Sequence, residues 1–473
     1  MRKRILPVIG LLLALCIALS GCSSKSFQIS DLEAPDLPET GVMEGAREAV
    51  ISLLHYSVNE SGMLYLRNQL MRYYDFGTNQ AYVLCDRANC RHINEKCPAY
   101  YAPESVTGLA MFGGSVYVIR RNEEKNTFDL LQTDIKSEQQ RVIYSIPIGT
   151  REPDSWHVEE IPSVLYTKDT AWITLGYGYV NADGSGSYAT GTGTEILKIN
   201  LSDGTAVKLR ERPEDTNISY SIAGLSGQYA IVKKSWYSPA YPPDTAAFYA
   251  AMKEGAYSEF AASSDPYNDY FDWWQKNHQL MYELTVYDIA ADRSFVWCTD
   301  QERNYYNDEG YVTASLSQHD IMGIAADGRI IYNREADVYD LQQGGDTYVY
   351  AWDPVSGSTE ELLHIENGFA YPLNPNETLL FYLVDSGTKF YYRTFSEDGG
   401  SKTFYAYDLN LRTSVELYTC STDAGFHLRD AYGSRFIGTV SGGTAGEVPL
   451  SLISQEDYEN GAFDRVQKLK DVR

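Results

Sequence analysis

A hairpin pattern that recurs seven times along the chain constrains its fold more than any other feature. Each copy has an apolar or aromatic strand ending in Asp or a small polar residue, a short turn, and a strand ending in Leu or an aromatic residue. The turns contain Gly, Asn, Asp and Ser, which antiparallel hairpins favour. A weaker seventh copy spans residues 450–469, and the strand-ending residues of the other six are Asp75, Asp134, Asn200, Asp288, Asp353 and Asp408.

Two more strand-like runs precede most copies, for example residues 108–112 and 115–119. Four short strands per repeat, at spacings of roughly 46 to 88 residues, are typical of a β-propeller with loop insertions. The sequence therefore predicts an all-β fold in which residues 61–473 form a propeller of seven blades. Six or eight blades stay open, because the first and last repeats are irregular. A pair of β-sandwiches would not require the same closing hairpin seven times.

The longest repeat contains a helical pattern at residues 236–279. Asp244 precedes a run of good helix formers that ends near Gly255, and Asp265-Pro266 provides a second N-cap with proline at the first helical position. We therefore predict a helical hairpin inserted in the fourth blade.

This stretch is also the most aromatic part of the chain, and loops on a rigid scaffold often carry function. Four of its aromatic residues are predicted to anchor a partner protein or to stack on a sugar ring: Trp236, Tyr237, Trp273 and Trp274. The alternative is that these rings only pack the insertion onto its blade.

The first 21 residues have the order of a secretory signal: three basic residues, an apolar stretch from Ile5 to Leu19, and small residues before Cys22. The apolar stretch is too short to span a membrane. Leu19-Ser20-Gly21-Cys22 resembles the lipobox of bacterial lipoproteins, which implies cleavage before Cys22 and a diacylglycerol on its sulfur. The alternative is an ordinary signal peptide with an incidental cysteine.

These residues predict a lipid-anchored protein on the extracytoplasmic face of the cell membrane. Residues 22–60 are polar near their start and contain Pro35 and Pro38, so they are predicted to form a tether and N-terminal segment. The net charge of −25 makes nucleic acid an unfavourable partner, because an acidic body repels phosphate backbones.

The sharpest chemical feature is a group of three cysteines and one histidine in the segment 85–100, the Cys/His loop. Cys85, Cys90, His92 and Cys97 could together form a structural zinc site, which is tetrahedral and needs soft ligands. Their spacing departs from the usual C-x2-C knuckle. One disulfide with a spare thiol is the main alternative in an extracytoplasmic chain, and free thiols are another.

The Cys/His loop also resembles a segment found in a known group of proteins. Leu84-Cys85, then Asn89-Cys90-Arg91-His92, then Cys97-Pro98-Ala99-Tyr100 resembles the end of the first blade in a group of propeller lipoproteins from Gram-positive bacteria. The resemblance covers the lipobox, this motif and the repeated hairpins. It implies a surface-anchored propeller and carries over no catalytic residues, and the helical hairpin has no match in the group.

The sequence contains no H-E-x-x-H, G-x-S-x-G, phosphate-loop, dinucleotide or EF-hand motif. His319 and Asp320 could lie near a channel mouth, although a lone His beside an Asp usually makes surface hydrogen bonds. The sequence therefore favours a binding or scaffolding module for an envelope protein or glycan. The alternative is a glycan-active hydrolase or lyase that uses acidic residues of the channel.

Overall fold

The structure is a computed structural model, and strands make up most of what it describes. The described residues are 32, 34–39, 41–45, 55–85, 87, 89–94, 96–101, 106–137, 139–153, 155–180, 186–187, 195–211, 218–238, 245–306, 312–316, 318–335, 345–370, 383–384, 387–422, 425–440 and 450–469.

Within the described residues, strand β1 (Met43–Glu44) precedes seven four-stranded antiparallel units, whose strands follow one another in chain order. Unit 1 consists of β2 (His55–Val58), β3 (Gly62–Arg67), β4 (Leu70–Asp75) and β5 (Gln80–Val83). Unit 2 consists of β6 (Val106–Phe112), β7 (Ser115–Asn122), β8 (Thr127–Asp134) and β9 (Gln140–Pro147). Unit 3 consists of β10 (Ser155–Tyr166), β11 (Thr170–Val180), β13 (Glu195–Asn200) and β14 (Ala206–Arg210), with the short β12 (Gly186–Ser187) beside β11.

Unit 4 consists of β15 (Ile218–Leu225), β16 (Tyr229–Ser238), β17 (Gln279–Asp288) and β18 (Arg293–Gln301). Helices α1 (Thr245–Lys253) and α2 (Pro266–Asn277) lie between β16 and β17, with a 3-10 turn at Ser258–Phe260. A separate hairpin of β19 (Arg303–Tyr306) and β20 (Val312–Leu316) follows unit 4.

Unit 5 consists of β21 (Asp320–Ile324), β22 (Ile330–Glu335), β23 (Gly345–Trp352) and β24 (Thr359–Ala370). Unit 6 consists of β25 (Leu383–Val384), β26 (Lys389–Phe395), β27 (Ser401–Asp408) and β28 (Thr413–Ser421). Unit 7 consists of β29 (Phe426–Tyr432), β30 (Arg435–Val440), β31 (Ser451–Ser454) and β32 (Gln467–Lys468), and its last turn contains helix α3 (Gln455–Glu459) and a 3-10 turn at Phe463–Arg465. Units 5 and 6 are continuous, because the end of β24 pairs with β26.

Hydrophobic clusters join each unit to the next. A further cluster joins unit 7 back to unit 1, where Ile437 and Leu452 pack with Met63, Tyr65 and Tyr74. The first strands are the inner ones, since β2 contacts β6, β6 contacts β10, β15 contacts β21, and β21 contacts β25. A ring of antiparallel sheets that pack face to face around their first strands is a β-propeller.

The antiparallel strand order gives the ring two different faces. The first-to-second and third-to-fourth turns lie at one end of every unit, which we call the short-turn face. The second-to-third connections and the links between units lie at the other end, the long-connection face. Neighbouring first turns touch, for example where the Ala326 N–H donates to the carbonyl oxygen of Gly387 at 3.1 Å.

The repeated Asp and Asn residues explain the regular short turns. Asp408 Oδ1 accepts hydrogen bonds from the backbone N–H groups of Asn410 (2.8 Å) and Leu411 (2.9 Å). The side-chain oxygens of the equivalent residues also accept turn N–H groups; these residues are Asp75, Asp134, Asn200, Asp288 and Asp353. Each of these side chains therefore accepts a hydrogen bond from a backbone N–H group in the turn, which the pairing between the strands would leave without a partner.

Part of the predicted tether is packed onto the propeller. The carbonyl oxygens of Ala34 and Pro35 accept hydrogen bonds from Gly114 (2.8 Å) and Gly113 (3.0 Å), in the first turn of unit 2. Strand β1 then pairs antiparallel with the free inner edge of β10, so the segment enters from the short-turn face and runs inside the ring. A Cβ on Gly45 would lie 2.8 Å from the Cα of Gly108, so this close approach needs glycine.

Strand β2 begins at His55, before residue 61, so the propeller starts earlier than predicted. The signal sequence, residues 1–21, and Cys22 lie outside the described residues. Among the residues that are described, no helix combines the length and apolar character needed to cross a bilayer.

Candidate metal centre and ligand surface

The Cys/His loop interrupts the outer strand of unit 1. The Leu84 N–H donates to the Met71 carbonyl oxygen at 3.0 Å as the chain leaves β5. The chain returns where the Met71 N–H donates to the carbonyl oxygen of Ala99 at 2.8 Å and the Tyr101 N–H donates to that of Gln69 at 2.7 Å. Both points lie at the start of β4, so the loop projects from the long-connection face.

The loop brings the four predicted ligands together. One ligand atom from each of Cys85, Cys90, His92 and Cys97 lies within 4.8 Å of all the others, and His92 Nδ1 lies 3.3 Å from Cys97 Sγ. Cys97 is buried and the other three are half-buried. None of the described cysteines forms a disulfide. Zn–S bonds of about 2.3 Å and Zn–N bonds of about 2.0 Å would fit a tetrahedral ion among groups this close.

Backbone turns rather than crosslinks position these groups. The Cys90 N–H donates to the carbonyl oxygen of Arg87 at 3.1 Å, and the Cys97 N–H donates to that of Asn94 at 2.9 Å. His92 has a φ of 54°, a left-handed conformation that turns the chain back within the loop.

The pKa values of the three thiols do not all shift in the same direction. Burial raises the pKa of Cys85 to about 12 and raises the pKa of Cys97, whereas a hydrogen bond with the backbone of His92 lowers the pKa of Cys90. Because thiolates are the ligands, binding of a metal would have to release protons from Cys85 and Cys97.

The helical insertion, residues 239–278, stands on the same face as the Cys/His loop. It joins β16 to β17, whose last paired residues are Ser238 and Gln279. Asp265 caps α2 by accepting a hydrogen bond from the Asn268 N–H at 3.4 Å, and Pro266 is its first residue. The insertion has its own small core of Phe248, Tyr270 and Trp274.

Two of the predicted anchors, Tyr237 and Trp274, pack in this core. Trp274 is 2% exposed, stacks on His278 with ring centroids 4.2 Å apart, and meets Tyr237 edge-on at 4.7 Å. Trp236 is half-buried in β16, with Lys234 Nζ 5.0 Å from its ring centroid. Tyr237 and Trp274 therefore pack within the core of the insertion.

Of the four predicted anchors, Trp273 is the exposed one, with 46% of its surface accessible to solvent. Its ring is supported from behind by Tyr270, at 6.0 Å, and by Phe260, at 6.1 Å between centroids. Tyr249, 37% exposed, was not predicted. It follows the buried Phe248 in α1, so helical periodicity could have placed it on the outer side.

A group of titratable side chains lies between units 4 and 5. Lys233 Nζ and Glu302 Oε1 lie 2.6 Å apart, and Glu302 is buried. Burial raises the pKa of Asp320 to about 6, although Lys233 and a hydrogen bond with Asn333 act in the opposite direction.

Neighbouring groups extend this cluster toward the insertion. The Tyr282 hydroxyl lies 2.8 Å from His319 Nδ1, and burial lowers the pKa of His319. Gln279 Nε2 donates to the carbonyl oxygen of Glu302 at 3.0 Å, so the cluster adjoins the base of the insertion. The sequence pattern indicated His319 and Asp320 as candidates. It could not indicate the pairing of Lys233 with Glu302, because these two residues lie 69 positions apart in the chain.

Comparisons with known proteins return distant likenesses only. No protein-family model matches the sequence, and no curated protein matches it. The β-propeller domain of the trilobed protease from Pyrococcus furiosus is similar at 10% identity and a TM-score of 0.43, over 91% of this chain and 99% of that chain. An oligogalacturonate lyase from Vibrio parahaemolyticus is similar at 11% identity and a TM-score of 0.39, over 75% of this chain and 74% of that one.

TolB from Acinetobacter baumannii is similar at 13% identity and a TM-score of 0.31, over 92% of this chain and 84% of that chain. Likenesses this distant carry no information about ligand or reaction. The chain is a β-propeller by its own topology and packing, as the sequence predicted.

The Asp320 carboxyl gives a pH-dependent prediction. Its pKa in the folded chain is about 6, above the ordinary 3.8, so its ionised form destabilises the fold above pH 6 and the effect vanishes below about pH 4. Asp320→Asn should therefore raise the free energy of unfolding at pH 7.5 by about 1–2 kcal/mol, with no gain at pH 4. Urea denaturation at both pH values measures this.

Asp292→Asn, at an exposed turn of unit 4, is the matched control and should leave both values unchanged. A lower stability of Asp320→Asn at pH 7.5 would show that attraction to Lys233 outweighs burial of the carboxylate.

Proposed function

We propose that this chain is a lipoprotein on the extracytoplasmic face of the cell membrane, and that its long-connection face binds an envelope protein or glycan. The observation that carries the binding function is the helical insertion. It holds Trp273 and Tyr249 exposed at the end of the hairpin formed by β16 and β17 of unit 4. Large exposed aromatic rings on a fixed support are the usual anchors of a binding surface.

Preorganisation supports this interpretation. The rings behind Trp273 belong to a packed core, so little side-chain freedom is lost when a partner covers it. An exposed indole can fill an apolar pocket of a protein or stack on a sugar ring, so both partner classes stay within the proposal. The anchor to the membrane is the diacylglycerol proposed on Cys22, supported by the signal sequence and the lipobox that precede it.

The Cys/His loop has a structural role in this proposal. Cys85, Cys90, His92 and Cys97 would hold a zinc ion that crosslinks this loop. Convergence of all four ligand atoms supports this assignment. An ion with four protein ligands has no open coordination position, so zinc would supply stability here and no catalysis.

The titratable cluster supports a second candidate, the glycan-active hydrolase or lyase. Two carboxyl groups, Glu302 and Asp320, lie with Lys233 and His319 where the first strand of unit 5 begins. A carboxyl with a pKa of about 6 is suited to general acid or base work. Asp320→Asn would then abolish turnover of an oligosaccharide and retain its binding, whereas a binding module shows no turnover with either chain.

The zinc site is tested with cobalt, which reports tetrahedral thiolate coordination by its absorption spectrum. The reduced, metal-free mature chain should bind a single Co²⁺ and release it to Zn²⁺. Cys97→Ser should weaken binding by at least about 100-fold. Cys298→Ser, a half-buried thiol of β18, is the control and should bind as the parent does. Loss of two free thiols in the chain as purified without reductant would instead establish a disulfide.

The helical insertion is tested by its removal. Ser238 and Gln279 are paired, so an Asn-Gly turn can join them and replace residues 239–278 without opening the hairpin. We expect the unlipidated mature chain to retain an envelope protein or glycan from solubilised membranes, and the shortened chain to lose it.

Point substitutions test the binding surface while the helical insertion stays in place. Trp273→Ala combined with Tyr249→Ala should weaken binding at least about tenfold. Val207→Ala, also an exposed apolar residue but on unit 3, should not. Retention of the same partner by the shortened chain would place the contact elsewhere and contradict the proposal.

A further inference from the structure

Two aliphatic side chains project from the short-turn face. Val355 is 81% exposed and Leu411 is 72% exposed, and they occupy the third-to-fourth turns of the neighbouring units 5 and 6. Their backbone N–H groups donate to Asp353 Oδ1 and Asp408 Oδ1 at 2.8 and 2.9 Å, so both turns are fixed by the repeated Asp residues. Aliphatic residues this exposed contribute nothing to the core of the ring.

The N-terminal segment reaches the ring at the same face. Its contacts are with the first turns of unit 2, through Gly113 and Gly114, and of unit 3, where Lys168 pairs with Glu39. In a ring of seven units, units 5 and 6 lie across from unit 2. The attachment point and the two aliphatic turns therefore lie on opposite sides of the ring axis, on one face.

The distance to the proposed lipid is short, and this step rests on the proposed lipidation of Cys22. The ten residues from Cys22 to Leu32 span at most about 35 Å when fully extended. A propeller held this closely by its short-turn face cannot keep that face far from the bilayer.

We propose that the short-turn face lies against the lipid surface, with Val355 and Leu411 inserted at the membrane interface. The lipid on Cys22 holds the face on the side of unit 2, and the two aliphatic turns contact the bilayer on the side of units 5 and 6. The helical insertion and the Cys/His loop then point away from the membrane. Because the chain has a net charge of −25, this contact depends on the anchor and the apolar side chains and not on attraction to anionic lipids.

The test uses the lipidated full chain in phosphatidylcholine vesicles that contain a phosphatidylcholine with a photoactivatable diazirine in its acyl chain. After irradiation, crosslinked peptides are mapped by mass spectrometry. We expect crosslinks in the turns at residues 353–358 and 408–412. Val355→Asp and Leu411→Asp should each lower crosslinking at their own turn about fivefold.

Ile93→Asp is the matched control, since Ile93 is 66% exposed in the Cys/His loop on the long-connection face. It should leave the crosslinking pattern unchanged. Crosslinks concentrated in the helical insertion, or spread evenly over both faces, would overturn the proposed orientation. Near-ultraviolet circular dichroism of each variant checks that the fold is intact.

Vesicle flotation separates this inference from the anchor on which it rests. The parent chain should float with the vesicles and Cys22→Ser should not. If the parent also stays behind, lipidation itself fails and the orientation falls with it. If the parent floats and the Val355 and Leu411 turns are not labelled, the anchor stands and the orientation is wrong.

Discussion

Face-to-face packing between successive sheets is the interaction on which the rest of this structure depends. A four-stranded sheet with two apolar faces cannot bury both by itself, so each unit needs a neighbour on either side. The clusters between units meet that need, and the contact of Ile437 and Leu452 with Met63, Tyr65 and Tyr74 removes the last two open faces. A closed ring of this kind is a rigid base for connections that differ in length and composition.

In the closed ring, the regular turns lie at one face and the connections that carry the candidate functional groups lie at the other. The short turns repeat because the same Asp or Asn geometry satisfies them in unit after unit. The long-connection face has no such requirement, and the chain places its Cys/His loop and helices α1 and α2 there. The Lys233–Glu302 pair and Asp320 lie below the insertion, toward the long-connection end of units 4 and 5.

Features encoded by nearby residues could be predicted from the sequence. The hairpin repeat, the cap at Asp265 and the convergence of Cys85 with Cys97 all depend on residues close along the chain. Features that depend on distant partners could not. Polar, proline-containing composition predicted a tether, but Leu37 and Met43 are buried between units 2 and 3. Aromatic content alone could not tell the buried Trp274 from the exposed Trp273, because that choice depends on which side of α2 meets the insertion core.

The path of the N-terminal segment has a mechanical consequence. Strand β1 lies along the inner edge of β10 and runs antiparallel to it, so tension on the N-terminal end pulls along the strand axis and loads the β1–β10 hydrogen bonds in shear. A peripheral attachment would instead let one sheet peel from its neighbours, bond by bond. Since the pulled segment passes inside the ring, the force is delivered near the axis, where every sheet contributes its first strand. Such an arrangement resists extraction of the chain from its own fold under a steady pull.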